Sequence, residues 1–297
     1  MLLLSVLKRE SNLFMERTRR LPDWMKTPMP GGKKYLEVKQ LIQQHQLNTI
    51  CTSGNCPNRA ECWGAGTASF MILGNKCTRN CRFCDVPNMI PDAPDWGEPR
   101  RLAQTIKTLK LKHCVITSVA RDDMPDGGAA FWAETIRTIK EINPEVTLEV
   151  LIPDFDASPS DIQKVIDARP EVISHNLETV RRLTPKVRDR ARYSRSLAVL
   201  KQVADSGIVP KSGIMLGLGE TTDEVLQTMD DLREVGCRVM TLGQYLSPSE
   251  HHLKIEEFIL PDIFKFYKHE GLKKGFSFVE STPLVRSSYH AELHVNA

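Results

Sequence analysis

The segment that decides the fold is SFMILGNKCTRNCRFC, residues 69–84. It opens with an apolar run typical of a buried strand and continues, after a short turn, into three cysteines. Apolar runs and helical patterns alternate along the chain that follows. Such alternation predicts an α/β fold with a parallel sheet and right-handed crossovers. The predicted strands are 69–73, 114–119, 147–152, 172–174, 211–215 and 239–245.

Local patterns predict helices between these strands. Thr221, with Glu224 three residues later, predicts a capping box. Ser158 and Pro159 predict a second helix start, and Gly207 predicts a helix end. About six strand–helix units are too few for a closed eight-fold barrel, so we expect a partial (β/α)6 barrel. A doubly wound open sheet is the structural alternative.

Composition restricts the classes of function. The chain has 297 residues, of which 41% are hydrophobic and 26% charged, so it can bury a large core. A net charge of +3 gives no case for a nucleic-acid binder. No segment approaches the roughly 20 apolar residues of a membrane span, so we expect a soluble protein. Arg17, Arg19 and Arg20 lie in a basic leader that could attract an acidic partner, although a solvated leader is the simpler interpretation.

Three cysteines follow the first predicted strand. Cys77, Cys81 and Cys84 have the spacing C-x3-C-x2-C. Three thiolates on one loop can hold three irons of a 4Fe–4S cluster and leave the fourth iron open for another ligand. Zinc is the alternative, but it usually needs four ligands in two pairs, and no second pair lies nearby in the sequence. The spacing therefore favours the cluster.

Three more cysteines precede that strand. Cys51, Cys56 and Cys62 have the spacing C-x4-C-x5-C and could hold a second cluster, again with one iron that needs a ligand from elsewhere. Cys114 falls within a predicted strand and Cys237 in a turn between a helix and a strand. We expect these two to be buried as small hydrophobic residues.

The pattern C-x3-C-x-aromatic-C after a first strand resembles the signature of radical S-adenosylmethionine (SAM) enzymes. The resemblance implies that the open iron binds the amino and carboxyl groups of SAM. Reductive cleavage of SAM then gives a 5′-deoxyadenosyl radical. By the same resemblance Phe83 packs beside the bound SAM, although it could simply anchor the loop.

The remaining motifs resemble the lipoyl synthase family from about Leu21 to the end of the chain. They include the first cysteine group, GTASFMILG at 66–74 and RSSYHA at 286–291. The resemblance implies that Ser288 completes the auxiliary cluster and that Arg286 lies over the cluster and gates its release. Without the resemblance, a Ser-Ser pair near a C-terminus would be interpreted as capping or solvated.

Further residues carry expected roles in binding SAM. By resemblance, Asn176, Glu178 and Arg195 hold its ribose and methionine groups; the alternatives are helix capping for Asn176 and surface ion pairs for Glu178 and Arg195. Two positions depart from the family pattern. Ala120 stands where a carboxylate or amide is expected, and Thr52 stands where an acid is common. These departures concern local contacts and leave the cluster ligands intact.

The resemblance implies a sulfurtransferase of lipoate biosynthesis and protein lipoylation. A carbon-6 radical of a protein-bound N6-octanoyl-lysine attacks a sulfide of the auxiliary cluster, and carbon 8 then follows, so that the cluster is consumed. The implied cofactors are two 4Fe–4S clusters and SAM. One alternative is another radical SAM enzyme with a non-sacrificial auxiliary cluster. The other is a zinc- or cluster-stabilised binding protein.

The same resemblance suggests an organisation and a set of partners. We expect an N-terminal extension (1–50), an auxiliary-cluster segment (51–66), a radical SAM partial barrel (67–250) and a C-terminal extension that closes over the auxiliary cluster (251–297). Expected partners are octanoylated lipoyl domains or glycine cleavage H protein, and an electron donor such as ferredoxin or flavodoxin. We expect a cytoplasmic monomer that binds neither nucleic acid nor membrane.

Overall fold

A computed structural model describes residues 21–27 and 29–294, in which a single eight-stranded sheet organises the chain. Every strand predicted from the sequence is present, with bounds that shift by at most a few residues. The strands are β1 (Asn48–Thr49), β2 (Ser69–Ile72), β3 (His113–Ser118), β4 (Thr147–Leu151), β5 (Val172–Ser174), β6 (Val209–Leu216), β7 (Val239–Gln244) and β8 (Phe278–Ser281).

The strands follow one another in the sheet in chain order. β1 pairs antiparallel with β2, and each later neighbour pair is parallel. A doubly wound sheet reverses its strand order at a switch point. Because the order here never reverses, that alternative is wrong. The successive right-handed crossovers curl the sheet into an open barrel with its helices outside.

Each of the strands β2 to β7 is followed by at least one helix, which completes the predicted (β/α)6 pattern. In chain order the helices are α1 (Lys33–Gln44), α2 (Ile50–Ser53), α3 (Arg59–Gly64), α4 (Glu98–Leu109), α5 (Ala129–Ile142), α6 (Pro159–Asp167), α7 (Thr184–Val187), α8 (Tyr193–Asp205), α9 (Thr222–Glu234) and α10 (Pro261–Lys273). Short 3-10 helices lie at Asp23–Met25, Phe155–Ala157 and Ala291–Leu293.

The helix boundaries follow the local chemistry of the sequence. The hydroxyl of Thr221 accepts from the backbone N–H of Glu224, whose carboxylate accepts from the N–H of Thr221, so the predicted capping box is confirmed. Pro159 occupies the first turn of α6, as predicted. Gly207, just beyond α8, adopts a φ of 83°, which a glycine accommodates without strain.

Two apolar clusters fill the space between the sheet and the helices. The larger includes Trp132 and Phe70, both almost completely buried. The second includes Phe264 and Met240, which are fully buried. Cys77 packs against the first cluster and Phe83 against the second, so the cysteine loop spans the boundary between them.

The sheet continues beyond residue 250, where the sequence placed the end of the barrel. α10 completes the sixth unit, and β8 adds a further parallel strand beside β7. The apolar pattern indicates β8 only weakly, because Glu280 interrupts it. The arginines of the basic leader lie outside the described residues. No helix in the described part of the chain is long and apolar enough to cross a lipid bilayer.

Candidate functional site

The cysteine loop, residues 77–84, follows β2 and is pinned by a buried ion pair. Arg79 lies 2.7 Å from a carboxylate oxygen of Asp122 and 2.7 Å from one of Asp154. Burial alone would lower the pKa of Arg79, but the two carboxylates raise it well above its usual value. Asp122 lies beyond β3 and Asp154 beyond β4, so the carboxyl ends of two neighbouring strands fix this loop.

Main-chain contacts complete the fixation of the loop. The N–H of Arg82 donates to the carbonyl of Val187 at 3.0 Å, and the N–H of Leu253 donates to the carbonyl of Arg82 at 3.2 Å. The His252 ring lies 3.1 Å from the carbonyl of Cys84. Contacts from β3, β4, the α7 region and the segment after β7 therefore converge on eight residues.

The three loop thiols lie in an environment suited to bound iron. Cys77 Sγ accepts from the backbone N–H groups of Arg79 (3.4 Å) and Ala120 (3.3 Å). Burial raises the pKa of Cys84 to about 12, helped by the negative charges of Cys81 and Cys77. A positive metal centre relieves this mutual repulsion, because the thiolate is the form that binds metal. Ala120 contacts Cys77 and Thr78 through its backbone. The lack of a carboxylate or amide side chain at position 120 therefore does not change these contacts.

Polar groups at the carboxyl end of β5 face this loop. Burial raises the pKa of Glu178, while Arg188 and a hydrogen bond from Asn176 oppose that shift. Glu178 and Arg188 are both close enough to Cys81 to shift the pKa of its thiol. Asn176 Oδ1 and Arg188 Nε are buried with no hydrogen-bond partner among the described residues. Such orphaned groups are suited to a polar ligand such as SAM.

Arg195 and Phe83 are the other two residues expected to bind SAM. Arg195, on α8, lies 3.5 Å from Asp154, which also binds Arg79. The structure thus links Arg195 to the cysteine loop through Asp154. Phe83 is half-buried on the loop itself, against the apolar cluster under α9 and α10.

The first cysteine group forms a second set of adjacent thiols. Cys51 is buried in α2, Cys62 is half-buried in α3, and Cys56 lies between the two helices. Burial raises the pKa of Cys62 to about 12, and the nearby Cys51 and Cys56 add to that shift. The Thr52 position carries no acid; its backbone N–H instead donates to the capping hydroxyl of Thr49.

The C-terminal segment closes over this second set. Ser69 at the start of β2 donates to the hydroxyl of Ser288 at 2.7 Å. The side-chain amide of Asn58 donates to the carbonyl of Leu284 at 2.7 Å, and Tyr289 donates to Glu61 at 3.0 Å. Each contact joins positions more than 200 residues apart, so the second set is assembled from both ends of the described chain.

Arg286 lies beside the second set. Burial lowers the pKa of Arg286, and the negative charge of the nearby Cys56 opposes that shift. Gly243 on β7 makes room for this part of the segment. A Cβ atom there would lie 2.1 Å from the carbonyl oxygen of Val285. A side chain at 243 would therefore displace the segment that carries Arg286 and Ser288.

The free thiols supply the ligand type that iron–sulfur clusters need. All eight cysteines are free, and Cys114 and Cys237 are buried as predicted. Within residues 21–27 and 29–294, no three His, Cys, Asp or Glu side chains form a group that could hold one metal ion. Each triplet offers three free thiols, the ligands that a 4Fe–4S cluster takes.

A cavity of about 460 Å³ adjoins the second set. Its lining includes Cys62, Ser69 and Ser288. The exposed Lys110 and Lys112, from the turn between α4 and β3, also line it. The cavity thus connects the surface to the side of the second set where Ser288 lies.

Comparisons with known proteins agree with this geometry. Residues 71–232 match the sequence model of the Radical SAM superfamily, and residues 6–56 match that of the N-terminal domain of lipoyl synthase. The chain is 59% identical to a lipoyl synthase of Treponema denticola over 95% of this chain and 97% of the relative. The chain belongs to the lipoyl synthase family. A lipoyl synthase of Christiangramia forsetii is 55% identical over 93% of this chain and 94% of the relative.

Solved structures support the fold. Methylornithine synthase aligns with a TM-score of 0.54 at 13% identity, over 84% of this chain and 79% of that protein. Streptococcus suis SuiB, solved with S-adenosylmethionine bound, aligns with a TM-score of 0.58 at 11% identity, over 76% of this chain and 55% of that protein. At these identities the likeness concerns the radical SAM fold alone.

Family membership settles the class of the protein. It is a radical SAM enzyme that transfers sulfur, and its cofactors are two 4Fe–4S clusters and SAM. The alternative of a radical SAM enzyme with a non-sacrificial auxiliary cluster is not favoured by these relatives. The alternative of a zinc- or cluster-stabilised binding protein is wrong, because the relatives are enzymes.

The sequence indicated some of the residues at these sites and missed others. Ser69 was noted only as the start of a strand, yet it joins Ser288 to the strand that leads to the cysteine loop. Arg188 lies in a loop with no motif, and only the fold brings it to Cys81. Asp122 lies in a short polar run after β3, and nothing in the sequence indicated its partner Arg79.

Proposed function

We propose that the chain inserts two sulfur atoms at carbons 6 and 8 of an N6-octanoyl-lysine on a lipoyl-carrier protein. In this proposal Cys77, Cys81 and Cys84 hold the cluster that binds SAM. The auxiliary cluster, held by Cys51, Cys56, Cys62 and Ser288, is the sulfur donor. The observation that carries the proposal is the hydrogen bond from Ser69 to Ser288, which brings the expected fourth ligand to the edge of the first cysteine group.

The chemistry at the first site depends on a radical. When bound, the cluster and SAM supply a 5′-deoxyadenosyl radical, which can abstract hydrogen from the unactivated carbons that acid–base groups cannot attack. The chain itself binds and orients. Asn176 and Glu178 offer polar atoms to SAM beside Cys81, and Arg79 keeps the cysteine loop in one position. Burial of these groups excludes water from the reacting carbons.

The chain's residues at the auxiliary site combine strong and weak ligands. Three thiolates bind iron firmly, whereas a serine oxygen is the weaker ligand, which suits a cluster that must open. Arg286 is buried near Cys56 and places a positive charge there. We propose that this charge stabilises the anionic thiolates and that movement of Arg286 accompanies release of the serine ligand.

The relatives point to lipoyl-carrier proteins as the substrates. We propose lipoyl domains or glycine cleavage H protein as carriers, ferredoxin or flavodoxin as electron donor, and a cytoplasmic monomer as the working form. The octanoyl arm would reach the auxiliary site through the cavity beside Ser288. The exposed Lys110 and Lys112 in its lining would attract an acidic carrier surface.

A charge reversal tests this docking surface. In the variant Lys110→Glu/Lys112→Glu the KM for an acidic carrier protein should rise by about three- to tenfold at low salt, and the rise should shrink as salt screens the charges. The kcat should stay unchanged. Lys265→Glu, on α10 outside the cavity lining, serves as the control. An unchanged KM in the double variant would remove the docking proposal and leave the chemistry untouched.

The function itself is tested by an anaerobic single turnover. The reconstituted protein should hold about eight irons per chain. With SAM, reductant and an octanoyl-lysyl peptide, it should yield a peptide that has gained two sulfur atoms, as followed by mass spectrometry. Cleavage of SAM without sulfur transfer would keep the radical SAM class and refute the proposed reaction.

A further inference from the structure

A buried ion pair lies inside the barrel. Lys211 on β6 and Glu149 on β4 are both fully buried, with Lys211 Nζ 2.7 and 2.8 Å from the two carboxylate oxygens. Ser174 on the intervening β5 donates to Glu149 at 2.9 Å. Burial would raise the pKa of Glu149, but the charge of Lys211 lowers it to about 2, so the pair is ionised.

The C-terminal segment supplies the other partners of Lys211. The ammonium group has three N–H donors. One serves Glu149, one donates to the carbonyl oxygen of Ser287 at 2.5 Å, and one donates to Nδ1 of the buried His294 at 2.9 Å. The His294 ring also packs on Phe278 of β8, with ring centroids 4.7 Å apart. The ammonium group thus ties the strands to both ends of residues 287–294.

A second contact fixes the same residue. The side-chain amide of Asn176, at the end of β5, donates to the hydroxyl of Ser287 at 2.7 Å. Ser287 is therefore held at its carbonyl by Lys211 and at its side chain by Asn176. The next residue, Ser288, accepts the hydrogen bond from Ser69 at 2.7 Å. Ser69, Asn176 and Lys211 thus fix the positions of the two consecutive serines, Ser287 and Ser288.

A buried ion pair is poor evidence for stability, because desolvation of two charges offsets much of their attraction. Apolar side chains of similar volume would fill the same space without lowering the stability of the fold. Such a pair can instead select one arrangement among several. Here Lys211 binds both the carbonyl of Ser287 and the ring of His294, which favours a single position of residues 287–294 on the strands.

We propose that Lys211 is a positioning residue that places Ser288 at the auxiliary site by holding the backbone of Ser287. The proposal rests on the proposed function, in which Ser288 binds the auxiliary cluster. Glu149 keeps Lys211 charged and oriented, and His294 anchors the far end of the segment. Lys211 acts through the backbone of Ser287, and its other partners are Glu149 and His294.

The test uses two variants of the full-length protein. Lys211→Met removes the donor but leaves Glu149 buried without its cation, so it should destabilise the fold for that reason alone. Lys211→Met/Glu149→Gln removes both charges and should restore the unfolding temperature. It does not restore the bond to Ser287. A role limited to folding predicts that every property recovers in the double variant.

The first measurement is hydrogen exchange on the iron-free protein. In the double variant, amides at 287–294 should exchange at least about tenfold faster than in the unaltered chain, while amides of β3 and α5 should not change. The second is the loss of iron to a chelator from the reconstituted protein. About four of the eight irons should leave several-fold faster, with the SAM-binding cluster and its spectrum unaltered.

The outcomes separate the two proposals. Unchanged exchange at 287–294, or unchanged iron loss despite faster exchange, would overturn the role of Lys211. Ser288→Ala is measured in parallel. If it retains its auxiliary cluster as the unaltered chain does, the ligand assignment of the proposed function fails, and the exchange experiment still reports whether Lys211 holds the segment.

Discussion

The two cysteine triplets differ in how the chain assembles them. Cys77, Cys81 and Cys84 lie within one loop of eight residues, held by Arg79 and by the ends of neighbouring strands. The auxiliary set draws its three cysteines from 51–62 and its expected fourth ligand from position 288, across more than 200 residues of sequence. A local site is completed when the barrel forms. A site closed by a distant segment can open while the barrel stays folded.

This contrast agrees with what each cluster must do. The SAM-binding cluster has to survive every turnover, and a loop fixed by buried ion pairs protects it. The auxiliary cluster is expected to give up sulfur and be rebuilt, so a ligand on a detachable segment is useful. The comparison therefore predicts that damage to the loop and damage to the C-terminal segment will have separable effects.

The largest effect should come from Cys81→Ala. Loss of a thiolate ligand should reduce SAM cleavage by more than the roughly 10- to 100-fold that loss of an outer-shell partner costs. About four irons should remain, bound at the auxiliary site. Iron analysis and 5′-deoxyadenosine release measure the two effects. Cys237→Ala, which alters a buried thiol outside both sites, should keep both clusters. Loss of all iron in Cys81→Ala would show that the sites are not independent.

Removal of the ion pair under the loop should come next. Arg79→Met removes the buried cation between Asp122 and Asp154, which keep only the more exposed Arg190 and Arg195, so the free energy of unfolding should fall by about 3 kcal/mol. Urea denaturation of the iron-free chain measures this loss. Lys265→Met breaks an exposed pair with Asp262 and should cost less than about 1 kcal/mol. Equal losses in the two variants would contradict the importance given to the buried pair.

Ser288→Ala should act on the auxiliary site alone. Sulfur insertion should fall by about 10- to 100-fold, while SAM cleavage should stay within about twofold of the unaltered rate, because the cysteine loop is untouched. The products are counted by mass spectrometry and by 5′-deoxyadenosine release. Ser277→Ala, an exposed serine after α10, is the matched control. A parallel fall in both products would mean that the segment also supports the SAM site.

The smallest effect concerns pH. Cys84 has an ordinary pKa of 9.0 when unfolded and about 12 in the folded iron-free chain, so its thiol stays protonated in the fold. Its contribution to stability is complete below about pH 9 and is lost as pH rises from there towards 12. Between about pH 8 and pH 10, the free energy of unfolding of the unaltered chain should fall by about 1 kcal/mol more than that of Cys84→Ser. Equal losses in urea titrations at both pH values would contradict the raised pKa.

Periodicity and turn chemistry predicted most of the fold. Alternating apolar runs gave the six barrel strands, and the capping box at Thr221 marked a helix start correctly. β8 was missed because Glu280 interrupts its apolar run, and its pairing with β7 becomes visible only in the fold. β1 was missed because two residues carry no periodicity.

Spacing indicated the candidate cluster ligands that lie close together in sequence. It could not indicate Lys211, because a lysine in an apolar strand has no local partner; Glu149 and Ser287 reach it only through the folded barrel. Ser69 likewise acquires its role from Ser288, more than 200 residues away. Chemistry confined to one loop can thus be predicted from a sequence, whereas contacts that assemble distant segments need the fold.

The most direct test follows the sulfur. The protein is reconstituted with sulfide of a heavy sulfur isotope and allowed one turnover on an octanoyl-lysyl peptide, with iron release measured alongside. We predict a product that carries two heavy sulfur atoms, loss of about four irons, and an unchanged spectrum of the SAM-binding cluster. A product without heavy sulfur, or loss of the SAM-binding cluster in its place, would contradict the assignment of one permanent and one sacrificial site.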